Sequence, residues 1–242
     1  IADALKLEIN NIFWDEKRGV YRHSRIGDKT GECGTAYANV FAALTGFADA
    51  NKKRRIIYAL KFDTSIPPIT TPYMQAFLLS CLCEAGEFEC ARRKLYAYFG
   101  NMAETGTSTF WETYKIGEQK ETATYMYGRP FGRSQCHIWG AGAILIIGKY
   151  FYGLRNDMEF GERFVLRPYL PAIENTSATL PLKHGKITVS YYGNTLVVCA
   201  EGQSGVLMLD GVSHELTADQ TYEFETNIRP VYPASVPQIK AI

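Results

Sequence analysis

The first two thirds of the chain alternate between two kinds of helix. Residues 2–13 place Leu5, Ile9 and Ile12 on one stripe with Lys6, Glu8 and Asn10 off it, the spacing of an amphipathic surface helix. Residues 35–48, TAYANVFAALTGFA, are apolar or small almost all round, which predicts a helix covered on every side. Residues 51–60 turn amphipathic again, with Lys52 to Arg55 ahead of Ile56, Ile57 and Leu60. Residues 72–84 are once more apolar all round and open on Pro72, a residue suited to a first helical turn. Residues 87–99 set Cys90, Ala91, Leu95 and Tyr98 against Arg92, Arg93 and Lys94, and residues 135–153 form the third all-apolar segment. The order is outer, inner, outer, inner, outer, inner.

The connections are unequal. Each inner helix passes to the following outer one through a few residues, Asp49 to Asn51 and Ala85 to Glu87, whereas residues 14–34, 61–71 and 100–134 lead from each outer helix to the next inner one. If the inner helices run parallel inside the outer ones, the three long segments gather above the inner helices' N-termini. Loops there are placed to carry a site, and helix N-termini favour anions. Long structureless loops in a compact domain are usually functional.

After Leu154 the period becomes alternating. Phe164–Arg167, Lys186–Tyr191, Thr195–Cys199, Val206–Leu209 and Tyr222–Glu225 read as strands, with Gly193-Asn194 and Asp210-Gly211 as hairpin turns. Short strands at this spacing predict an antiparallel, sandwich-like module. His184 and His214 fall in turn contexts there, and no catalytic constellation accompanies them.

Composition narrows the function classes. A chain of 242 residues can bury one sizeable core or two smaller ones. Its formal net charge is +1, and its only dense basic run, Lys52 to Arg55, has no aromatic interleaving, so neither nucleic acid nor a membrane surface is expected as a partner. The longest apolar stretch, Ile138 to Tyr152, is broken by three glycines and Lys149, which argues against a membrane span. The chain opens on Ile1 without a basic leader and apolar core, the expectation for a processed chain or the tail of something longer. The six cysteines, Cys33, Cys81, Cys83, Cys90, Cys136 and Cys199, have no metal-ligand spacing, and no metal or cofactor is expected. Buried thiols account for most of them.

The candidate chemistry lies between Thr105 and Trp139. Glu112 follows the aromatic pair Phe110 and Trp111 in a segment rich in Thr, Ser and Gly, and His137 opens the most apolar segment. A lone acid beside a tryptophan, followed by a histidine at a helix start, is the pattern of a polar small-molecule site. A capped helix end with a hydrogen-bonded core histidine reads equally well from these residues. Cys136 beside His137 makes a poor nucleophile and base, because adjacent helical residues diverge by about 100°.

Four stretches together resemble a known family. Thr71-Pro-Tyr-Met with Ser80-Cys-Leu-Cys-Glu-Ala-Gly further along the same segment, Gly106-Thr-Ser-Thr-Phe-Trp-Glu, Ser134-Gln-Cys-His-Ile-Trp-Gly-Ala-Gly and Leu182-Lys-His-Gly-Lys-Ile-Thr-Val resemble, in order, the C-terminal part of bacterial α-L-rhamnosidases of glycoside hydrolase family 78. The resemblance implies an α+β multidomain chain: part of an (α/α)6 toroid over residues 1–155, then an antiparallel β-sandwich over residues 156–242. Three inner helices are read here where the family has six, so half a toroid is expected, completed by a missing N-terminal half or by self-association.

For mechanism, the resemblance implies an inverting glycosidase acting on a rhamnose-containing carbohydrate. Glu112 matches the family's general base, His137 a histidine that hydrogen-bonds the sugar, and Trp111 and Trp139 the pocket walls. The general acid of the family lies in an Asp-x-x-Arg-x-Glu element that this chain lacks; Asp15, Glu16, Asp28 and Glu32 precede the site without that setting. The isolated chain is therefore expected to be inactive. Another six-hairpin glycosidase and a non-catalytic binding or structural module are the alternatives.

Overall fold

The structure is a computed structural model and describes residues 1–105, 108–118, 124–155, 161–169 and 175–226. It divides into two compact units, Ile1–Ala143 and Ile144–Ile242. Residues 144–155, expected with the helices, thus group with the strands.

The first unit opens with α1 (Ala2–Phe13), which has no buried residue. The segment after it is not structureless. It folds into β1 (Trp14–Asp15) paired antiparallel with β2 (Val20–Tyr21), then β3 (Arg25–Ile26) paired with β4 (Lys29–Thr30). Asp15 Oδ1 accepts from the amides of Lys17 and Arg18, each at 3.0 Å, and so makes the first turn. The outer edge of β2 is satisfied by one side chain. Asn39, fully buried on α2 (Ala36–Leu44), accepts from Tyr21 N at 2.7 Å and donates to Tyr21 O at 3.0 Å. A buried amide that meets backbone donors and acceptors in this way removes the desolvation cost that each would carry alone.

Next come α3 (Ala50–Phe62), α4 (Pro72–Glu84) and α5 (Phe88–Leu95). Asp49 caps α3 by accepting from Lys52 N at 2.8 Å. Pro72 stands in the first turn of α4 as expected. The third outer helix is longer than its pattern suggests, continuing through a π-helical turn, Tyr96–Gly100, into α6 (Asn101–Glu104). Gly100 does not stop it, because Tyr98, Phe99 and Met102 are all buried along this run, and packing outweighs the glycine's propensity penalty of about 1 kcal/mol. Val40, Ile56, Leu79, Cys81 and Leu82 have no exposed surface and form the centre of the unit. Burial pushes the Cys81 thiol up to about 11, so it acts as a small hydrophobe.

The inner helices are not covered on every side in this chain. Tyr37 and Phe41 on α2 and Tyr73 on α4 are exposed. Phe41, Phe77 and Tyr73 form a run of ring contacts, Phe41 to Phe77 at 5.2 Å and Phe77 to Tyr73 at 5.2 Å.

The third inner helix starts three residues later than its apolar pattern. A 3-10 turn, Ile138–Ala141, leads into α7 (Gly142–Ile146) and a π-helical turn, Ile147–Phe151. Residues before Ile138 are withheld from the helix because His137 N donates to Phe110 O instead, at 2.8 Å.

The second unit holds two four-stranded sheets. One has the order β11 (Val212–Leu216), β10 (Gly205–Leu209), β6 (Phe164–Leu166), β5 (Leu154–Arg155); the other has the order β12 (Gln220–Glu225), β9 (Thr195–Glu201), β8 (Gly185–Tyr192), β7 (Thr176–Leu182). Leu166, Ile187, Val189, Val198, Ala200 and Leu207, from four of these strands, are wholly buried in one shared cluster. All pairs within these sheets are antiparallel except β6 with β10, which run parallel. Parallel strands need a crossover connection, and β7 to β9 lie between the two in sequence. Both central residues of the Asp210-Gly211 turn have positive φ, 50° and 81°, the conformation of a type I′ hairpin.

His214 lies on β11 rather than in a turn, its ring 4.9 Å from that of Phe224. His184 does sit between strands, with Nε2 3.6 Å from Glu162.

Candidate functional site

Two segments distant in sequence build the candidate site. After α6 the chain returns past the N-terminus of α4, where Tyr114 N donates to Thr70 O at 2.8 Å and the buried Tyr98 hydroxyl shares its one proton between Thr70 O at 2.9 Å and Tyr114 O at 3.0 Å. Burial raises the Tyr98 phenol well above its ordinary range, so it stays protonated and donates. Tyr114, itself buried, donates to Asn101 Oδ1 at 2.5 Å. These bonds fix the backbone just beyond Glu112.

The second segment is laid against the first by reciprocal backbone bonds. Glu112 N donates to Ser134 O at 2.9 Å, His137 N donates to Phe110 O at 2.8 Å, and the Thr109 hydroxyl donates to Gln135 O. Ser134 N then donates to Glu112 Oε2 at 3.1 Å. Glu112 is half-buried, and its other carboxylate oxygen makes no hydrogen bond among the described residues. Gly140 permits the close approach: a Cβ there would lie 2.7 Å from Phe110 Cβ, 3.1 Å from Trp111 O and 3.3 Å from Pro72 Cβ.

The two tryptophans part company. Trp111 is buried and meets Tyr114 edge-on at 6.1 Å, whereas Trp139 is 60% exposed with its ring 5.2 Å from His137 and 5.3 Å from Tyr73. Trp139 thus presents an open aromatic face next to the half-buried His137, whereas Trp111 belongs to the packed interior. Trp139 therefore continues the open aromatic run of α2 and α4.

The long segments leading to the inner helices are tied to one another. Arg18 Nη2 donates to Asp63 Oδ2 at 3.0 Å and to Ser65 Oγ at 2.6 Å, joining the first to the second, and Thr70 joins the second to the third through Tyr114 and Tyr98. The upstream acids serve this scaffold. Asp15 pairs with Arg22 at 3.1 Å, Glu16 with Arg55, and Asp28 with Arg25 at 3.2 Å.

Sequence reading missed the partners of Glu112 and His137. Ser134 and Phe110 act through backbone atoms, which carry no residue-type signal. The ion pair of Arg133 with Glu118, at 2.6 and 3.1 Å, was equally silent. All six cysteines are free, and Cys33 and Cys136 are exposed rather than buried. Among the described residues no group of three or more His, Cys, Asp or Glu could hold a metal ion, and no helix is long and apolar enough to cross a membrane. Three clefts, of about 230, 340 and 460 Å³, are lined by neither Glu112 nor His137.

No family profile and no curated protein sequence matches the chain. Solved structures do. A GH78 family rhamnosidase of Bacillus sp. GL1 is 21% identical with a TM-score of 0.68, over 82% of this chain and 20% of that one. An α-L-rhamnosidase from Aspergillus terreus is 12% identical with a TM-score of 0.68, over 93% of this chain and 26% of that one. A Klebsiella oxytoca rhamnosidase with rhamnose bound is 22% identical with a TM-score of 0.52, over 61% of this chain and 27% of that one. The chain thus spans about a fifth to a quarter of the length of these proteins. Helices followed by sheets, in the order seen here, give this chain the fold of a part of the GH78 α-L-rhamnosidases.

Proposed function

We propose that this chain is the part of an inverting α-L-rhamnosidase that supplies the general base. The observation that carries the reading is the placement of Glu112: its carboxylate is held by Ser134 N–H beside the segment of His137 and Trp139, in a fold similar to that of rhamnosidases. The helical first unit then forms part of an (α/α)6 toroid, and the two four-stranded sheets of the second form a β-sandwich.

In this mechanism Glu112 takes a proton from water as the water oxygen bonds the anomeric carbon. The C–O bond to the aglycone breaks on the opposite side, and a separate carboxylic acid protonates the departing oxygen. The two carboxyl groups stand roughly 6.5–9.5 Å apart to admit the water. His137 hydrogen-bonds sugar hydroxyls, Trp139 stacks on the sugar, and Trp111 backs the wall.

The acid belongs to a second body, the N-terminal half of the toroid, seated against the open face of Tyr37, Phe41, Tyr73 and Trp139. Exposed apolar faces of this kind mark interfaces. The 242-residue chain by itself is inactive. The test is to assay it on an unactivated rhamnoside, alone and then with the N-terminal part of the toroid added. Turnover only in the mixture supports the reading, and full turnover by the lone chain overturns it. A panel of other aryl glycosides distinguishes a different six-hairpin glycosidase, and no turnover on any substrate indicates a non-catalytic module.

A further inference from the structure

We propose that Glu118 and Arg133 form a positioning clamp that holds Ser134 N–H on the Glu112 carboxylate; this rests on Glu112 being the base. The segment leaves the site after Tyr114 and returns at Ser134. Near its two ends stand Glu118 and Arg133, whose side chains are only 17% and 11% exposed. Arg133 Nη1 donates to Glu118 Oε2 at 2.6 Å and Nη2 to Glu118 Oε1 at 3.1 Å, a two-pronged pairing that fixes direction as well as distance. Nη2 also reaches Tyr125 O at 3.4 Å, and Arg133 N donates to Thr124 O at 3.1 Å.

Arg133 is thus held by its side chain and by its amide, and the next amide in the chain is the one that donates to Glu112. Ser134 in turn has its carbonyl engaged by Glu112 N. With Arg133 fixed, the Ser134 N–H can point in one direction only. Without the pair, the return of the segment to the site rests on bonds such as Glu112 N to Ser134 O, His137 N to Phe110 O and the Thr109 hydroxyl to Gln135 O. Neither Glu118 nor Arg133 is placed in contact with the sugar; both act through Ser134.

The test has two arms. In the 242-residue chain, hydrogen exchange at Ser134 and Glu112 is followed in the wild type, in Glu118→Gln and in the milder Arg133→Lys, which keeps the charge and loses the fork. Exchange at these two amides is expected to quicken by about tenfold or more while α4 and β8 stay protected. In a polypeptide that contains this chain and hydrolyses an aryl rhamnoside, both variants are expected to lower kcat by about tenfold to 10²-fold, the usual consequence of displacing a catalytic group by about 1 Å, with KM within about twofold. Unchanged exchange at Ser134, or exchange that quickens equally throughout α2 to α5, overturns the clamp. Glu112→Gln serves as the control. If it retains its kcat, the base reading fails and the clamp is judged by the exchange of Ser134 alone.

Discussion

Glu112 and Ser134 are joined by two hydrogen bonds in opposite directions: the Glu112 amide donates to the Ser134 carbonyl at 2.9 Å, and the Ser134 amide donates to Glu112 Oε2 at 3.1 Å. A carboxylate whose own backbone is bonded to the residue that orients its side chain has little freedom to turn. Such preorganisation is what a base must have if it is to meet a water in one position.

Glu112→Gln keeps the shape and the acceptor oxygen facing Ser134 and removes the ability to take a proton. General-base assistance contributes about 10² to 10⁴ in rate. In an intact enzyme that contains this chain, the expected outcome is a loss of that order in kcat with an unchanged melting temperature. A few-fold loss accompanied by lower stability would instead mark Glu112 as a structural acid of the return segment.

His137→Ala removes the ring that lies 5.2 Å from Trp139 and leaves the backbone bond to Phe110 intact. If the imidazole holds sugar hydroxyls, kcat/KM should fall by the worth of one buried polar contact, about 1–3 kcal/mol. Steady-state kinetics on a rhamnoside measure this. Unaltered kinetics would leave His137 with a packing role only.

Gly140→Ala tests the packing beneath the site. The new methyl would meet Phe110 Cβ at 2.7 Å and Trp111 O at 3.1 Å, and neither is the yielding end of a flexible side chain. Overpacking of this kind costs about 1–3 kcal/mol, so thermal unfolding should shift downward. Turnover should fall as well, because the displaced segment carries Glu112.

Acid should untie the scaffold under the site. The Ser65 hydroxyl and amide, then Arg18, hold the Asp63 carboxyl below its ordinary value of 3.8; the Arg18 amide, followed by the Arg22 side chain, does the same for Asp15. A carboxylate whose folded value is depressed contributes stability above its unfolded value, and that contribution is lost as pH falls through the folded one. Stability of the first unit should therefore hold above pH 4 and decline below it. In Asp63→Asn the decline should be shallower, as measured by denaturant unfolding across the acid range.

Periodicity alone was enough for α1 and α4, whose observed bounds coincide with the apolar pattern, because a helix of ample length declares its buried face every three or four residues. It was enough too for the Asp210-Gly211 turn, where the residue types meet the required backbone angles. Glu112, His137 and Trp139 stood out because an acid, a histidine and an aromatic in a polar segment carry chemistry in their side chains. What lay beyond reach was every relation made by backbone atoms. The start of the third inner helix at Ile138 rather than residue 135 depends on His137 N finding Phe110 O across the fold. β1 to β4, two residues each, are too short to show a period and exist because Asn39 and local turns satisfy their backbone. The parallel pairing of β6 with β10 is a choice of neighbour, and strand patterns specify faces rather than partners. Side-chain chemistry is written residue by residue along the chain, whereas hydrogen-bond partners among identical peptide groups are chosen only when the core has brought them together.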